Sequence, residues 1–458
     1  MAERRAVYGL FALVTVGAAL GNLSQTGLNA MLPAVMADFG VAVADGQWLT
    51  TGYMLVMGIA VPLATFLSRK LDDKGYMLLS FGLFALGSLI DWLAPGFFTM
   101  LVGRVVQAVA VGLMVPMLQT VAMTRFPPGR QATAMGVAGI ALGFAPNIGP
   151  MVGGMMDSAF GWRGFFVLLF AVSAVLFVLT LPAVAKAAPV EPGARFETLS
   201  FIYSALGFGG VLLGLSQASS VGFASSWFWV PILVGAVFLV LFCRRQRRIA
   251  EPLIDLDIFR SRRYNDGLLA SVFLFACYMG VMLVIPLYVQ DVLGGTSFDA
   301  GLVILPTTFT ALLVNPLAGW LADKTSIRTV SLVFGAFLAV GSVLCVLIAA
   351  DTPLWLLSIY QTVRAIGVSG LIGPLLTYSL AGLEGPLVPH GSSASVVIRQ
   401  VAATFGTAIM VLCVSALQGA VAAGAAAPSL PYQAAFAFSA LMGCLCLVVI
   451  FFRVKRRA

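Results

Sequence analysis

The chain has 458 residues, 60% of them hydrophobic and only 10% charged, with a mean hydropathy of +1.02. These values exclude a soluble globular protein and describe a polytopic membrane protein. The formal net charge of +8 points to no nucleic-acid partner, because the basic residues sit between apolar stretches, where they act as topology signals.

Met1–Arg5 runs straight into a long apolar segment without a small-residue cleavage site, so the first helix reads as uncleaved. Fourteen apolar spans are predicted, at roughly 7–32, 48–67, 76–95, 98–123, 132–156, 164–183, 198–217, 227–243, 266–288, 300–321, 328–350, 354–379, 392–416 and 432–452. An even count puts both termini on one side. Of the 26 Lys and Arg, only Arg104, Arg163, Arg364 and Arg399 then fall outside the loops and tails of that side. The positive-inside rule makes it cytoplasmic, in a multi-pass protein of the inner or plasma membrane. All six cysteines lie in or beside apolar spans, which suits small packing residues rather than a disulfide framework.

Span one carries Asn22, Gln25, Thr26 and Asn29 on one helical face. Interhelical hydrogen bonding, about 0.6–2 kcal/mol per contact, and the lining of a substrate cavity explain that face equally well. Span two ends in PLATFLSRK (Pro62–Lys70), with Asp72 and Asp73 beyond it as a solvated pair rather than a metal site. Asp91, near the outer end of span three, is the only acid in the interior of a span. It is either a proton carrier or an ordinary hydrated carboxylate at the interface. In span four, Arg104 and Gln107 face the same way, and Gln119 joins the cavity candidates. A lone arginine in lipid costs about 2.5–3.5 kcal/mol or more, so Arg104 must find a partner in protein or water.

Span five is the most distinctive stretch. It is uncharged from Ala132 to Met156 yet carries six glycines and two prolines, a poor helix in water but a tolerable one among neighbouring helices in lipid. Gly139/Gly143 and Gly149/Gly153 are small-xxx-small pairs that let another backbone approach. The order Gly143, Pro146, Gly149, Pro150, Gly153, Gly154, followed by Trp162-Arg163, resembles the antiporter motif of the major facilitator superfamily, in its 14-helix drug:proton antiporter branch. On that reading the span is a seam between two moving halves.

The chain also repeats itself. PLATFLSRK at Pro62–Lys70 matches PLAGWLADK at Pro316–Lys324, and Arg104…Pro116 is echoed by Arg364…Pro374. Repeats of this kind mean two related bundles around a central site. The expected organisation is an N-terminal six-helix bundle over 1–183, linkers with two additional helices over 184–265, and a C-terminal six-helix bundle over 266–458. The arginine-rich stretch RRQRRIAEPLIDLDIFRSRR (Arg244–Arg263) reads as a lipid-headgroup anchor. Tyr360, Gln361 and Arg364 mirror the span-four arrangement. His390 falls in LVPHGSSAS, a predicted solvated loop, and Arg399 and Gln400 open span 13 near the cytoplasmic face.

Further segments carry the same resemblance across nearly the whole chain, among them Pro286–Gln290 with Gly294, and Arg399-Gln400 with Gly406. It implies an all-α major facilitator fold that exports amphipathic or hydrophobic small molecules by alternating access, with protons as the coupling ion, no cofactor and no metal, as a monomer. It implies an Arg-x-x-Gln pair at Arg104 and Gln107 that assists proton transfer, and gating loops at Arg69, Lys70 and Asp72 and at Asp323 and Lys324. Two departures stand out. The acidic residue usual near position 24 is replaced by Ser24-Gln25, which leaves Asp91 with Arg104 as the proton-coupling candidates. The first gating loop has Thr65, Arg69 and Asp72 where the family has Gly, Asp and Gly, while the second copy keeps Gly319 and Asp323, so the gating role should be partly transferred or reorganised. A dedicated exporter of a metabolite, lipid or peptide fits as well, as does a transporter-like sensor. A lipid-modifying enzyme would need clustered carboxylates or histidines at a membrane face, and only Asp72-Asp73 comes near.

Overall fold

In hydrocarbon a backbone has no water to bond to, so apolar spans must close their hydrogen bonds internally. The computed structural model describes residues 2–185, 191, 193, 195–221, 225–422 and 427–455; Lys186, Arg456 and Arg457 among the basic residues counted above, and 222–224, lie outside them. Every long element is helical, and no strand occurs among the described residues. The first half holds α1 (Ala2–Phe39), the single turn α2 (Val43–Gly46), α3 (Trp48–Lys70), α4 (Asp73–Trp92), α5 (Phe97–Thr124), α6 (Gln131–Gly139) and α7 (Ala145–Ala183). A hairpin of α8 (Thr198–Val221) and α9 (Ser226–Gln246) follows. The second half holds α10 (Arg262–Asp291), α11 (Ser297–Lys324), α12 (Ile327–Val346), α13 (Leu354–Leu380), α14 (Val388–Ala422) and α15 (Leu430–Arg453).

Among the described residues, 13 segments are long and apolar enough to cross a membrane, against the fourteen spans read from sequence. The difference lies in Gln131–Ala183, helical over 53 residues. At 1.5 Å per residue it would be about 80 Å long, more than twice the ~30 Å of hydrocarbon. It contains a π-helical turn at Ile140–Phe144 and a non-helical residue, Gly161, at φ 70° and ψ 166°. The wide turn sits where Pro146 leaves the Leu142 carbonyl without its helical donor. Gly161 adopts a conformation that an L side chain rarely tolerates, and predicted spans five and six lie on either side of it.

The halves are built alike. In the first, α1 packs on α7 and α5, α3 on α5, and α4 on α5 and α7; in the second, α10 packs on α14 and α13, α11 on α13, and α12 on α13 and α15. This is one helix arrangement used twice, as the PLA repeat requires. Between the halves, α6 meets α11 and α13, while α14 meets α3 and α5. The hairpin is not peripheral, because α8 packs against both α3 and α14.

Contacts between the halves gather at the basic end, the end of the helices that carries Lys70, Arg125, Lys324 and Arg453. There Asp323 accepts hydrogen bonds from the Thr133 amide (2.7 Å), the Thr133 hydroxyl (2.6 Å) and the Ala132 amide (3.2 Å) at the start of α6. On the other flank Thr65 Oγ1 donates to Ser393 Oγ at 2.7 Å, and Ser395 Oγ to Gln119 Oε1 at 3.3 Å. Gly136, Gly319 and Gly373 bring α6, α11 and α13 so close that a Cβ on any of them would press on a facing backbone.

One sequence expectation is extended here and one is corrected. The stretch read as a lipid-headgroup anchor also forms a strap across the basic end. Leu253, Ile254 and Ile258 are buried, Arg69 donates to the Pro252 carbonyl at 3.4 Å, and the Asp255 amide donates to His390 Nδ1 at 3.0 Å. Leu253, Ile254 and Ile258 turn inward, while Arg244, Arg247, Arg248, Arg260 and Arg262 stay exposed. His390 is therefore not a solvated loop residue: it is 7% exposed and lies in the first turn of α14.

Candidate translocation cavity

A cavity of about 290 Å³ lies between the halves, lined by Asn22, Gln25 and Thr26 of α1, Met54, Met57 and Val61 of α3, Phe275, Met279 and Leu283 of α10, and Arg399 and Gln400 of α14. Leu215 and Ser216 of α8 complete one side, so the hairpin contributes to the wall. The lining is mostly apolar with a few placed amides, the composition of a small-molecule site. It lies beyond the basic-end contacts, which close it off at that end.

Of the predicted cavity residues, Asn22, Gln25 and Thr26 are present. Asn22 is anchored by donating to the Ala18 and Ala141 carbonyls at 2.9 and 3.1 Å. Asn29 is exposed outside the cavity. Gln119 is buried at the α5–α14 contact described above, and Tyr360 packs on an apolar cluster of the second half. Gln361 and Arg364 line a separate pocket of about 40 Å³ between α10, α11 and α13. Arg364 Nη2 donates to the Cys277 and Tyr278 carbonyls at 2.9 and 3.3 Å, and Tyr278 reaches Asn147 of the other half at 3.1 Å. Its Nε, and Nε2 of Gln361, have no partner among the described residues.

Sequence reading missed Arg399 as a cavity residue by placing it at the opening of its helix. The helix begins at Val388, so Arg399 lies about 16 Å along it, at cavity depth. Depth could have been read only by extending the helix through LVPHGSSAS.

Arg104 is fully buried on α5. It donates from Nη1 to Ser24 Oγ at 2.8 Å and Gln107 Oε1 at 2.9 Å, and from Nε to the Leu49 carbonyl at 3.2 Å. The guanidinium lies 4.0 Å from the centroid of the Tyr53 ring, a cation–π contact. Gln107 in turn donates to Ser88 Oγ at 2.8 Å. Gln107 therefore belongs to this network and not to the cavity wall. The position where the resemblance calls for an acid is thus in direct contact with Arg104, and here a neutral hydroxyl occupies it.

Asp91 is not the hydrated interfacial carboxylate allowed by the sequence: it is wholly buried on α4. Neither carboxyl oxygen accepts a hydrogen bond among the described residues. It forms no ion pair within 4.0 Å with Arg104; instead Oδ1 lies against Gly103, where a Cβ would overlap it. The side chains of α4 and α5 bring the two into the same layer without bringing them into contact.

The antiporter-like glycines divide into two groups. Gly149 and Gly153 approach Thr26 and Gly27 of α1, inside their own half. They are therefore not the seam between halves that the sequence suggested, because that face of α7 turns inward. Gly143, with Gly139, faces Asn315 of α11 and does bridge the halves. Gly154 has open space beside it. Pro146 lines the cavity, and Pro150 lies within α7. At the first gating loop Arg69 pairs with Glu191 at 3.3 Å, Asp72 caps α4 through the Gly75 amide, and Lys70 rests over Phe66 at 5.5 Å. At the second, Lys324 rests over Trp320 at 5.4 Å, leaving Asp323 to hold the other half.

Residues 14–407 match the family described as the Major Facilitator Superfamily. The chain is 32% identical to the lincomycin resistance protein LmrB of Listeria monocytogenes, covering 96% of this chain and 95% of that one. It is 33% identical to an uncharacterised transporter of the same type, YcnB of Bacillus subtilis, over 88% and 85% of the two chains. It is 27% identical to the methylenomycin A resistance protein of Streptomyces coelicolor, over 87% and 83%. Among solved structures, the fold is similar to the human organic anion transporter MFSD10 (TM-score 0.68, 15% identity, 98% and 99% coverage). It is also similar to the transporter FucP in its outward conformation (TM-score 0.65, 14% identity, 98% and 100% coverage).

Proposed function

The chain belongs to the major facilitator superfamily, a family of multi-pass membrane transporters and not of enzymes, and we propose that it is a secondary active exporter of amphipathic small molecules. The observation that carries this reading is a ligand-sized, mostly apolar cavity between two like-built halves, closed at one end by contacts that join the halves. Relatives named for resistance to lincomycin and methylenomycin A support a drug or toxic metabolite as cargo.

On this reading the basic end faces the cytoplasm, both termini lie there, and the chain crosses a cell membrane fourteen times, with Gln131–Ala183 crossing twice about Gly161. Residues 1–183 and 266–458 are the two moving bundles, and 184–265 is an insertion between them. Rocking about the cavity would break the Asp323 contacts and the Thr65–Ser393 contact while forming others at the far end. Protons are the proposed coupling ion, taken up and released at Asp91 beside the Arg104 network. Ser24 cannot titrate and takes no part. That neutral Ser24 is also what favours the second reading, a transporter-like sensor.

Counterflow of labelled lincomycin in proteoliposomes, with and without an imposed pH gradient, separates the two. An exporter exchanges label across the membrane, whereas a sensor binds it without exchange. Absence of exchange for lincomycin and a panel of amphipathic drugs would overturn the exporter reading.

A further inference from the structure

Buried ionised groups inside a membrane protein are rare, and they pair with one another or mark a substrate path. Among the described residues, three arginines (Arg104, Arg364, Arg399) but only one acid (Asp91) are buried. Asp91 and Arg104 sit in one layer of the first half, on the neighbouring helices α4 and α5. The second half holds two arginines and no buried acid.

Of those two, Arg399 opens onto the cavity of about 290 Å³ between the halves. It is 4% exposed, and its one hydrogen bond runs from Nε to the Ser395 carbonyl at 3.0 Å. Phe275 supports the flat face of the guanidinium at 5.0 Å. Neither terminal amino group donates a hydrogen bond to any described residue, and no carboxylate lies within 4.0 Å. Among the described residues, Arg399 is also the only charged one lining this cavity. Two side-chain amides, Gln25 across the cavity and Gln400 beside the arginine, make no hydrogen bond among the described residues. A planar fork with free N–H groups, braced on an aromatic ring and flanked by idle amides, is suited to a carboxylate or sulfonate. The remaining wall, Met54, Met57, Met279 and Leu283, suits an apolar body that fits by adaptable packing.

Resting on the exporter reading, we infer that the cargo is an amphipathic organic anion, whose acidic group is taken by Arg399 with Gln25 and Gln400, and whose apolar body lies on the methionine-rich wall. The anion supplies the negative charge that the second half lacks. Arg364, in its own small pocket, is held by two carbonyl oxygens and gives the same half a second positive centre.

The test is counterflow into proteoliposomes of three labelled probes with one apolar body: naphthalene-2-sulfonate, naphthalene-2-sulfonamide and 2-naphthyltrimethylammonium. The protein should exchange the sulfonate faster than the neutral sulfonamide and should not exchange the ammonium. In Arg399→Gln the sulfonate-to-sulfonamide exchange ratio should fall about 30-fold or more, the scale for removing one partner of a buried charge pair. Arg399→Lys should recover part of that ratio. A merely misfolded variant would lower both rates and leave the ratio unchanged, and the lysine variant would then show no recovery. Exchange of the ammonium as fast as the sulfonate, or an unchanged ratio in an Arg399→Gln protein that still exchanges the sulfonamide at the native rate, would overturn the inference while leaving export standing. Exchange of none of the three would count against both.

Discussion

Asp323 is the side chain at which a single change should most shift the balance between the two ends of the protein. Its carboxylate accepts three hydrogen bonds from the first turn of α6, two of them at 2.6 and 2.7 Å. Charge-assisted hydrogen bonds contribute about 1.5–3 kcal/mol each where water is excluded. The amides it meets also form the positive end of the α6 dipole. Asp323 is only partly buried, so water replaces some of what is lost and solvent screening reduces the rest. A net loss of about 1–3 kcal/mol in Asp323→Ala corresponds to a 5- to 150-fold shift in the ratio of closed to open basic ends. Spin labels at Thr124 and Thr329, exposed at that end in opposite halves, report the ratio by pulsed distance measurement in a cysteine-free background. The variant should gain a longer-distance population at the expense of the shorter one, and Asp323→Asn should fall between it and the native chain. An unchanged distance distribution in Asp323→Ala would show that the glycine contacts of α6, α11 and α13 hold the end shut by themselves.

Gly153→Leu should abolish counterflow at equal membrane abundance, because a Cβ there overlaps the Gly27 carbonyl oxygen, whereas Gly154→Leu, with open space beside it, should retain at least about half of the activity; equal activity of the two would refute the close-packing argument. Asp91→Asn should lose pH-gradient-driven uphill transport and keep downhill exchange, and undiminished uphill transport would remove Asp91 as the proton carrier. For topology, a membrane-impermeant maleimide added outside intact cells should label a cysteine at Asp351 and miss one at Arg247, both exposed positions; the reverse pattern would invert the orientation.

The all-helical fold was legible because hydropathy acts over whole spans and is insensitive to single residues. The two-bundle plan was legible because the PLA repeat ends a helix at the same place in each half. What was hidden depends on partners distant in sequence. LVPHGSSAS has the composition of a loop, yet it is helical because the Asp255 amide meets His390 and the Tyr264 hydroxyl meets the Gly391 carbonyl at 2.9 Å. That error left Arg399 at the opening of a helix along which it in fact lies about three turns. The glycine spacing of span five announced close approach correctly but could not say to which helix, and Gly149 and Gly153 turn toward α1 while Gly136 and Gly139 turn toward α11. Ser24 was noticed only as a missing acid. Its contact with Arg104 shows why an acid there and an arginine on α5 belong together.

The α8–α9 hairpin makes the two flanks of the molecule unequal. Along the α3–α14 flank, α8 spans the junction and adds Leu215 and Ser216 to the cavity wall. Along the α6–α11 flank neither helix of the hairpin spans the junction, and Phe309, Leu313 and Leu317 of α11 are exposed. A molecule dissolved in the bilayer and drifting toward the centre therefore meets a shuttered side and an unshuttered one. Any sideways route into the cavity is thereby given a handedness that the twofold likeness of the bundles alone would not supply.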